Sequence, residues 1–242
     1  MEAPPFPVSR ELPGWELAWI RLEAWGPEEP ASAPSGANHA QPVAASAPQG
    51  PGPSPAGVED RLAALRRELS ELARATFEGA DLPSHATVAA VRKLFRAAGC
   101  DPTRYRPSSE ALLRRLLKGE DLPAIHPLVD LNNCLSVELA VPCSLLAEGR
   151  FTPPVVLRAG RPGEAFESLR GPFNLEGKPL LADARGPLGT PITDGERAKV
   201  REGTQAAWLV AYLPAGQLNA GAVRAKLGEL LARAPVARVT EG

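Results

Sequence analysis

An aspartate and two asparagines stand almost side by side at Asp130, Asn132 and Asn133, set among Val129, Leu131 and Leu135. Carboxylate and amide groups in that company place hydrogen-bonding capacity beside a core. Two uses fit the pattern. One is capping, where Asp and Asn accept from the free N–H groups of a helix's first turn. The other is holding a carbonyl, an amine or a water, because each amide side chain offers two donors and an acceptor. Ser136, Glu138 and Ser144 follow shortly after. A serine nucleophile needs a neighbouring base. His126 lies just before Pro127 with no recognisable acidic partner, so the sequence indicates no Ser-His-Asp triad.

Farther along, Gly186-Pro-Leu-Gly-Thr-Pro-Ile-Thr-Asp-Gly195 gathers small residues and hydroxyls. Glycines such as Gly189 let a backbone come close to a ligand, and Thr190 and Thr193 could touch one; an ordinary hairpin loop has the same composition. Basic residues concentrate at Arg92, Lys93, Arg96, Arg104, Arg106, Arg114, Arg115 and Lys118. Guanidinium groups suit phosphates through bidentate, charge-assisted bonds that read no sequence, although a solvated helix face is built the same way. The formal net charge is only −1, so any nucleic-acid contact must be this local patch rather than a global field. Cys100, Cys134 and Cys143 form no CxxC pair and the three histidines are scattered. Neither a metal site nor a disulfide framework is expected, and no cofactor motif is present.

The elements that must position these groups follow an α+β order. Residues 15–25 read as a strand stopped by Gly26-Pro27. Residues 27–57 are almost wholly Pro, Ala, Ser, Gly and isolated polar residues; that composition predicts a disordered insertion. Three helices are then expected: Val58 to Phe77 on its leucine spacing, a second opened by Pro83-Ser84 with Ser84 capping, and a third capped by Ser108 or Ser109 and ended by Gly119. Short apolar runs at 155–157, 164–169, 179–182 and 207–213, separated by Gly/Pro turns, predict a mainly antiparallel sheet. An amphipathic helix from Leu218 to Ala232 closes the chain. Three units result: an N-terminal strand segment at 1–26, the insertion at 27–57, and one domain over 58–242. The 242 residues suffice for a substantial core. No apolar run approaches the ~18–20 residues that span a bilayer, and the N-terminus lacks signal-peptide architecture. The expectation is a cytoplasmic protein with no membrane partner and nothing directing it to DNA.

The run from Val129 through Asp130, Asn132, Asn133 and Glu138 to Pro142 resembles the core of the B3/B4 domain, the editing module of the phenylalanyl-tRNA synthetase β subunit. There the pattern reads roughly V-D-hydrophobic-T-N-Y-V-x-x-E-x-G-x-P. The preceding Arg106-Pro-Ser-Ser-Glu-Ala-Leu-Leu-Arg-Arg115 is similar to free-standing B3/B4 proteins, and the likeness extends over about residues 104–214. It implies a tRNA or aminoacyl-tRNA partner. The activity it implies is hydrolysis of mischarged aminoacyl-tRNA in trans; the alternative is a non-catalytic tRNA- or amino-acid-binding module of the same fold. On this likeness Asn132 and Asn133 take the place of the Thr-Asn beside the aminoacyl group and are the catalytic candidates. Asp130, Ser136, Glu138, Ser144, Gly189, Thr190 and Thr204 become candidates for substrate binding. Arg92, Arg96, Arg114 and Arg115 become candidates for tRNA phosphates. Two departures matter: Ser144 stands where the synthetase pattern has histidine, and the run after Thr204 lacks the glutamate that senses a tyrosine hydroxyl.

Overall fold

The computed structural model describes residues 4–24, 55–168 and 171–240. Two strands, β1 (Val8–Arg10) and β2 (Trp15–Ala24), come before the helices α1 (Pro55–Phe77), α2 (Ala86–Ala97), α3 (Ser108–Leu117) and α4 (Pro127–Leu139). Seven strands follow: β3 (Cys143–Ala147), β4 (Val155–Ala159), β5 (Ala165–Ser168), β6 (Gly171–Asn174), β7 (Pro179–Asp183), β8 (Gly186–Gly189) and β9 (Ala206–Pro214). Helix α5 (Ala220–Arg233) and strand β10 (Ala237–Thr240) end the described chain. The expected α+β composition is present. The insertion predicted at 27–57 falls outside the described residues, except for the last three, which begin α1.

The strand read at 15–25 is not peripheral. β2 pairs with β9 from Trp15↔Pro214 to Glu23↔Ala206, in the middle of an antiparallel sheet ordered β10-β2-β9-β3. A second sheet, β1-β4-β7-β8, is antiparallel except for the parallel β1–β4 pair, and β5–β6 forms a separate hairpin. Phe6 ties the two larger sheets together with edge-on contacts to Trp19, Trp208 and Phe151, ring centres 5.1–5.4 Å apart. Leu62, Leu65 and Leu69 of α1, with Leu131 and Leu135 of α4, are buried in one continuous core with the strands Ile20, Leu22, Leu209 and Leu213 supply.

Two of the expected caps are corrected. Ser84 closes a short 3₁₀ turn, Leu82–Ser84, and its hydroxyl donates to Asp81, while His85 occupies the N-cap of α2. Pro107 caps α3 with no side-chain bond, which puts Ser108 inside the helix; the Ser109 hydroxyl instead donates to the Ala140 carbonyl at 3.4 Å. The physical reason is that the Pro107 carbonyl already accepts the first helical bond, from Ala111 N, while Ser108 N is taken by the Pro191 carbonyl, which leaves both serines inside the helix. Asn219 does cap α5, accepting from the Ala222 N–H at 2.9 Å.

Candidate functional site

Helix α4 carries the Asp130/Asn132/Asn133 group, and its start is fixed from several sides. His126 is the N-cap, with its Nδ1 accepting from the Leu128 N–H at 3.2 Å, and Pro127 follows at the first helical position. This use of Nδ1 requires a neutral ring. Burial lowers the His126 pKa, with the Asp130 charge acting against it. Asp130 reaches back from the first turn: Oδ1 accepts from Ile125 N at 2.9 Å and from His126 N at 3.3 Å, and Oδ2 receives Arg66 Nη1 at 2.8 Å. Oδ1 thus fixes the chain entering α4 and Oδ2 ties the helix to α1; the N-cap itself is His126, so Asp130 is corrected from both a cap and a substrate contact.

At its far end α4 turns at once into β3. Ala140 takes the left-handed conformation at φ 54°, which is costly for a residue with a Cβ. Its setting supports it: Ser136 Oγ donates to Val141 O at 2.7 Å, and Ser109 holds the Ala140 carbonyl. Ser136 is therefore spent on the α4–β3 corner. Asn132, 6% exposed, donates Nδ2 to the Cys143 carbonyl at 3.2 Å on the open edge of β3. Its Oδ1 is buried and has no partner among the described residues. Asn133, one residue on, is half-buried and no hydrogen bond engages its amide among the described residues. Glu138 pairs with Lys226 of α5 at 3.2 Å.

Next to Cys143 comes Ser144, 2% exposed and in register with Val210 of β9. Side chains two apart on a strand share a face, so Ser144 and Tyr212 look the same way. Tyr212 is fully buried and its hydroxyl has no partner among the described residues. Burial pushes its pKa up, so it remains a neutral hydroxyl. Asp194 arrives opposite from the turn after β8. It pairs with Gly189, and its Oδ1 lies so close over that glycine that a Cβ there would sit 3.4 Å away. Thr190 locks this turn: its Oγ1 donates to Thr193 O at 2.9 Å and accepts from Ile192 N and Thr193 N. Gly195 has no room for a side chain, because a Cβ would meet the Leu188 carbonyl at 2.5 Å. The Pro191 carbonyl accepts from Ser108 N at 2.9 Å, seating the turn against the start of α3.

Burial pushes the Asp194 carboxyl up to about 6, and the Ser144 hydroxyl acts in the opposite sense. The cations in its neighbourhood are engaged elsewhere: Arg197 forks onto Asp183 at 2.8–2.9 Å, while Lys199 and Arg201 hold Glu196. Ser144 thus stands between a carboxyl of near-neutral pKa and a neutral phenol, and the Asn132 amide of α4 is fastened to the carbonyl of the preceding residue, Cys143. Sequence reading missed Asp194 and Tyr212. The available signals were an acid inside a Gly/Thr/Pro turn and a single hydroxyl in the apolar run 206–214.

The remaining expected residues divide. Thr204 is distant, at the far end of β9, where it closes a turn by accepting from Arg201 N at 2.9 Å. It lines an open cleft of about 430 Å³ with Glu148, Arg150, Lys199 and Arg201. Another open cleft, about 520 Å³, lies between Arg74, Phe77, Gly79 and Leu117, also away from Ser144. Arg92, expected at a phosphate surface, is corrected. It is 8% exposed and grips both oxygens of the fully buried Glu110 at 2.9–3.0 Å, with Thr103 and Pro102 taking its other contacts. A carboxylate buried in α3 must be paired, and Arg92 is what pairs it. Arg114 also donates to Glu110 at 2.9 Å but remains 38% exposed; Arg115 pairs with Glu120 at the surface, and Arg96 is exposed. All three cysteines are free and buried, and burial pushes Cys134 up to about 12, so none offers a thiolate. No group of three metal-ligating side chains occurs among the described residues, and no described helix is long and apolar enough to cross a membrane.

Comparison with known proteins gives three findings. No curated protein matches the chain. Among solved structures, an N-terminal fragment of the phenylalanyl-tRNA synthetase β-subunit from Pyrococcus horikoshii is similar at 16% identity and a TM-score of 0.38. That match covers 49% of this chain and 43% of the other, so the chain spans less than half the length of that structure. The B3/4 domain profile matches residues 90–227, which take in α3, α4, the Ser144 strand, the Asp194 turn and most of α5. With more than half its length inside that profile, the chain belongs to the B3/4 domain family.

Proposed function

We propose that this protein binds aminoacyl-tRNA and hydrolyses the aminoacyl ester, acting as a free-standing editing factor. The observation that carries the reading is the polar group at the α4–β3 edge. Asn132 Oδ1 and Tyr212 Oη are both buried without partners among the described residues, and they are the two oxygens in a set that also includes Trp19 Nε1, Arg66 Nε and Arg106 Nε. Such atoms fit a bound water or the polar atoms of a small ligand. An aminoacyl ester is already activated, so orienting water and polarising the carbonyl suffices and no covalent nucleophile is required. Among the described residues no histidine is hydrogen-bonded to Ser144, and His126 is spent as a cap; Ser144 is assigned no nucleophilic role.

The tRNA would lie over the exposed cations Lys93, Arg96, Arg104, Arg115 and Lys118, which flank α2 and α3. Binding without turnover is the rival reading, and serine at the synthetase's histidine position favours it. The experiment that separates the two is incubation of the purified protein with a panel of aminoacyl-tRNAs, following acid-precipitable label beside direct tRNA binding. Loss of label from at least one member, faster than in buffer, supports hydrolysis. Binding with no loss from any member assigns the protein to the non-catalytic class.

A further inference from the structure

Resting on that reading, we infer that Asp194 is the general base of the site: its carboxylate takes a proton from a water held against Ser144 and Tyr212, and that water attacks the ester carbonyl. The synthetase pattern has a histidine at the Ser144 position, where this chain carries no ionisable side chain. Its place is filled from a different element. Asp194 is carried on a turn that Thr190 pins with three hydrogen bonds and that Gly189 and Gly195 allow to pack closely. The turn is anchored at both ends, by Gly195 N to Leu188 O and by Ser108 N to Pro191 O. A carboxyl so fixed loses little freedom when it acts.

Its surroundings suit a base rather than an ion pair. No arginine or lysine neutralises it among the described residues, since Arg197, Lys199 and Arg201 on the same segment serve Asp183 and Glu196. From β3 the group near it is Ser144, and from β9 the neutral Tyr212. Asp194 and Thr193 are half-buried at the residue level, whereas Ser144 and Tyr212 are closed off. A carboxyl that ionises close to neutrality combines a large ionised fraction with useful basicity.

The step balances without a further reactant. Water oxygen bonds to the carbonyl carbon while its proton passes to Asp194. The tetrahedral intermediate then breaks the bond to the ribose oxygen, and Asp194 returns the proton to that oxygen. The products are the free amino acid and tRNA with its terminal hydroxyl restored.

The test uses the full-length protein and whichever aminoacyl-tRNA it deacylates, with buffer rates subtracted. Asp194→Asn is expected to lower kcat ~10²–10⁴-fold while KM and tRNA affinity stay unchanged. The wild-type kcat is expected to rise with pH and level off above about 6, and the variant's to be flat. Ser144→Ala provides the second measurement should Asp194→Asn misfold. Because the Ser144 hydroxyl lowers the Asp194 pKa and holds the attacking water, its removal is expected to move the midpoint of the pH profile upward and to lower the plateau rate by less than Asp194→Asn does. A wild-type profile without that midpoint, or Asp194→Asn as fast as wild type, overturns the assignment and leaves the deacylase reading standing. A wild-type protein silent on every aminoacyl-tRNA overturns both.

Discussion

Asp194 carries a cost that follows from its burial. Its pKa in the folded protein is raised to about 6 from an ordinary value of 3.8. Between those pH values the unfolded chain loses its proton first, so stability falls as pH rises through the window. Above the window the penalty is complete, on the order of 1–3 kcal/mol. Asp194→Asn is therefore expected to raise the melting temperature at pH 7.5 and to leave it unchanged at or below about pH 4. Thermal scans at the two pH values check this; equal melting temperatures at pH 7.5 would mean that the carboxyl is not strained by burial. A variant that gains stability while it loses turnover is the behaviour of a site residue that is costly to keep. Little of this was legible at the residue scale. The Asp130-Leu-Asn-Asn133 run drew attention in the sequence because its polar groups are adjacent. Asp194 and Tyr212 meet Ser144 only through strand pairing and a turn, a juxtaposition that no local spacing records.

At the scale of elements, periodicity located α1, α2, α3 and α5 within a few residues, because each has an apolar stripe against the core. β3 escaped notice. All five of its residues are buried, so no alternation marks it. β8 escaped for the opposite reason: Gly186-Pro-Leu-Gly189 reads as a turn, and only pairing to β7 makes it a strand. The basic residues of α2 and α3 were legible as a cluster but not as two kinds of group. Arg92→Ala leaves the buried Glu110 with only partly exposed partners, and breaking such a pair typically costs ~3–5 kcal/mol. It is expected to destabilise the fold outright in urea denaturation. Charge reversal of exposed Arg96 and Arg115 is expected to spare stability, weaken tRNA binding and reduce the slope of log affinity against log salt. If the salt slope is unaltered by these reversals, the RNA surface lies elsewhere.

For the whole molecule, the B3/4 assignment joins helices and sheet into one core around the α4–β3 edge, with β2 from the N-terminal segment at its centre. Residues 28–54 contribute no Phe, Trp or Tyr and only Val43 among branched aliphatics, a composition that predicts an insertion that does not pack. Replacing them with a short Gly/Ser linker is expected to leave the melting temperature and tRNA affinity nearly unchanged; a drop of several degrees would show that they pack. The fold class was readable in the sequence because amphipathic helices and Gly/Pro-punctuated apolar runs alternate in a recognisable order. The chemistry was not, since it depends on which polar atoms remain unpartnered once the chain has closed. Single-turnover deacylation tests the central claim most directly, with wild type, Asn133→Ala and Ser144→Ala in excess over one labelled aminoacyl-tRNA. The account predicts wild-type release well above the buffer rate, ~10²-fold or greater loss in Asn133→Ala from one missing preorganised interaction, a smaller loss in Ser144→Ala, and no label bound to protein. Release no faster than in buffer, or acyl label trapped on Ser144, would contradict it.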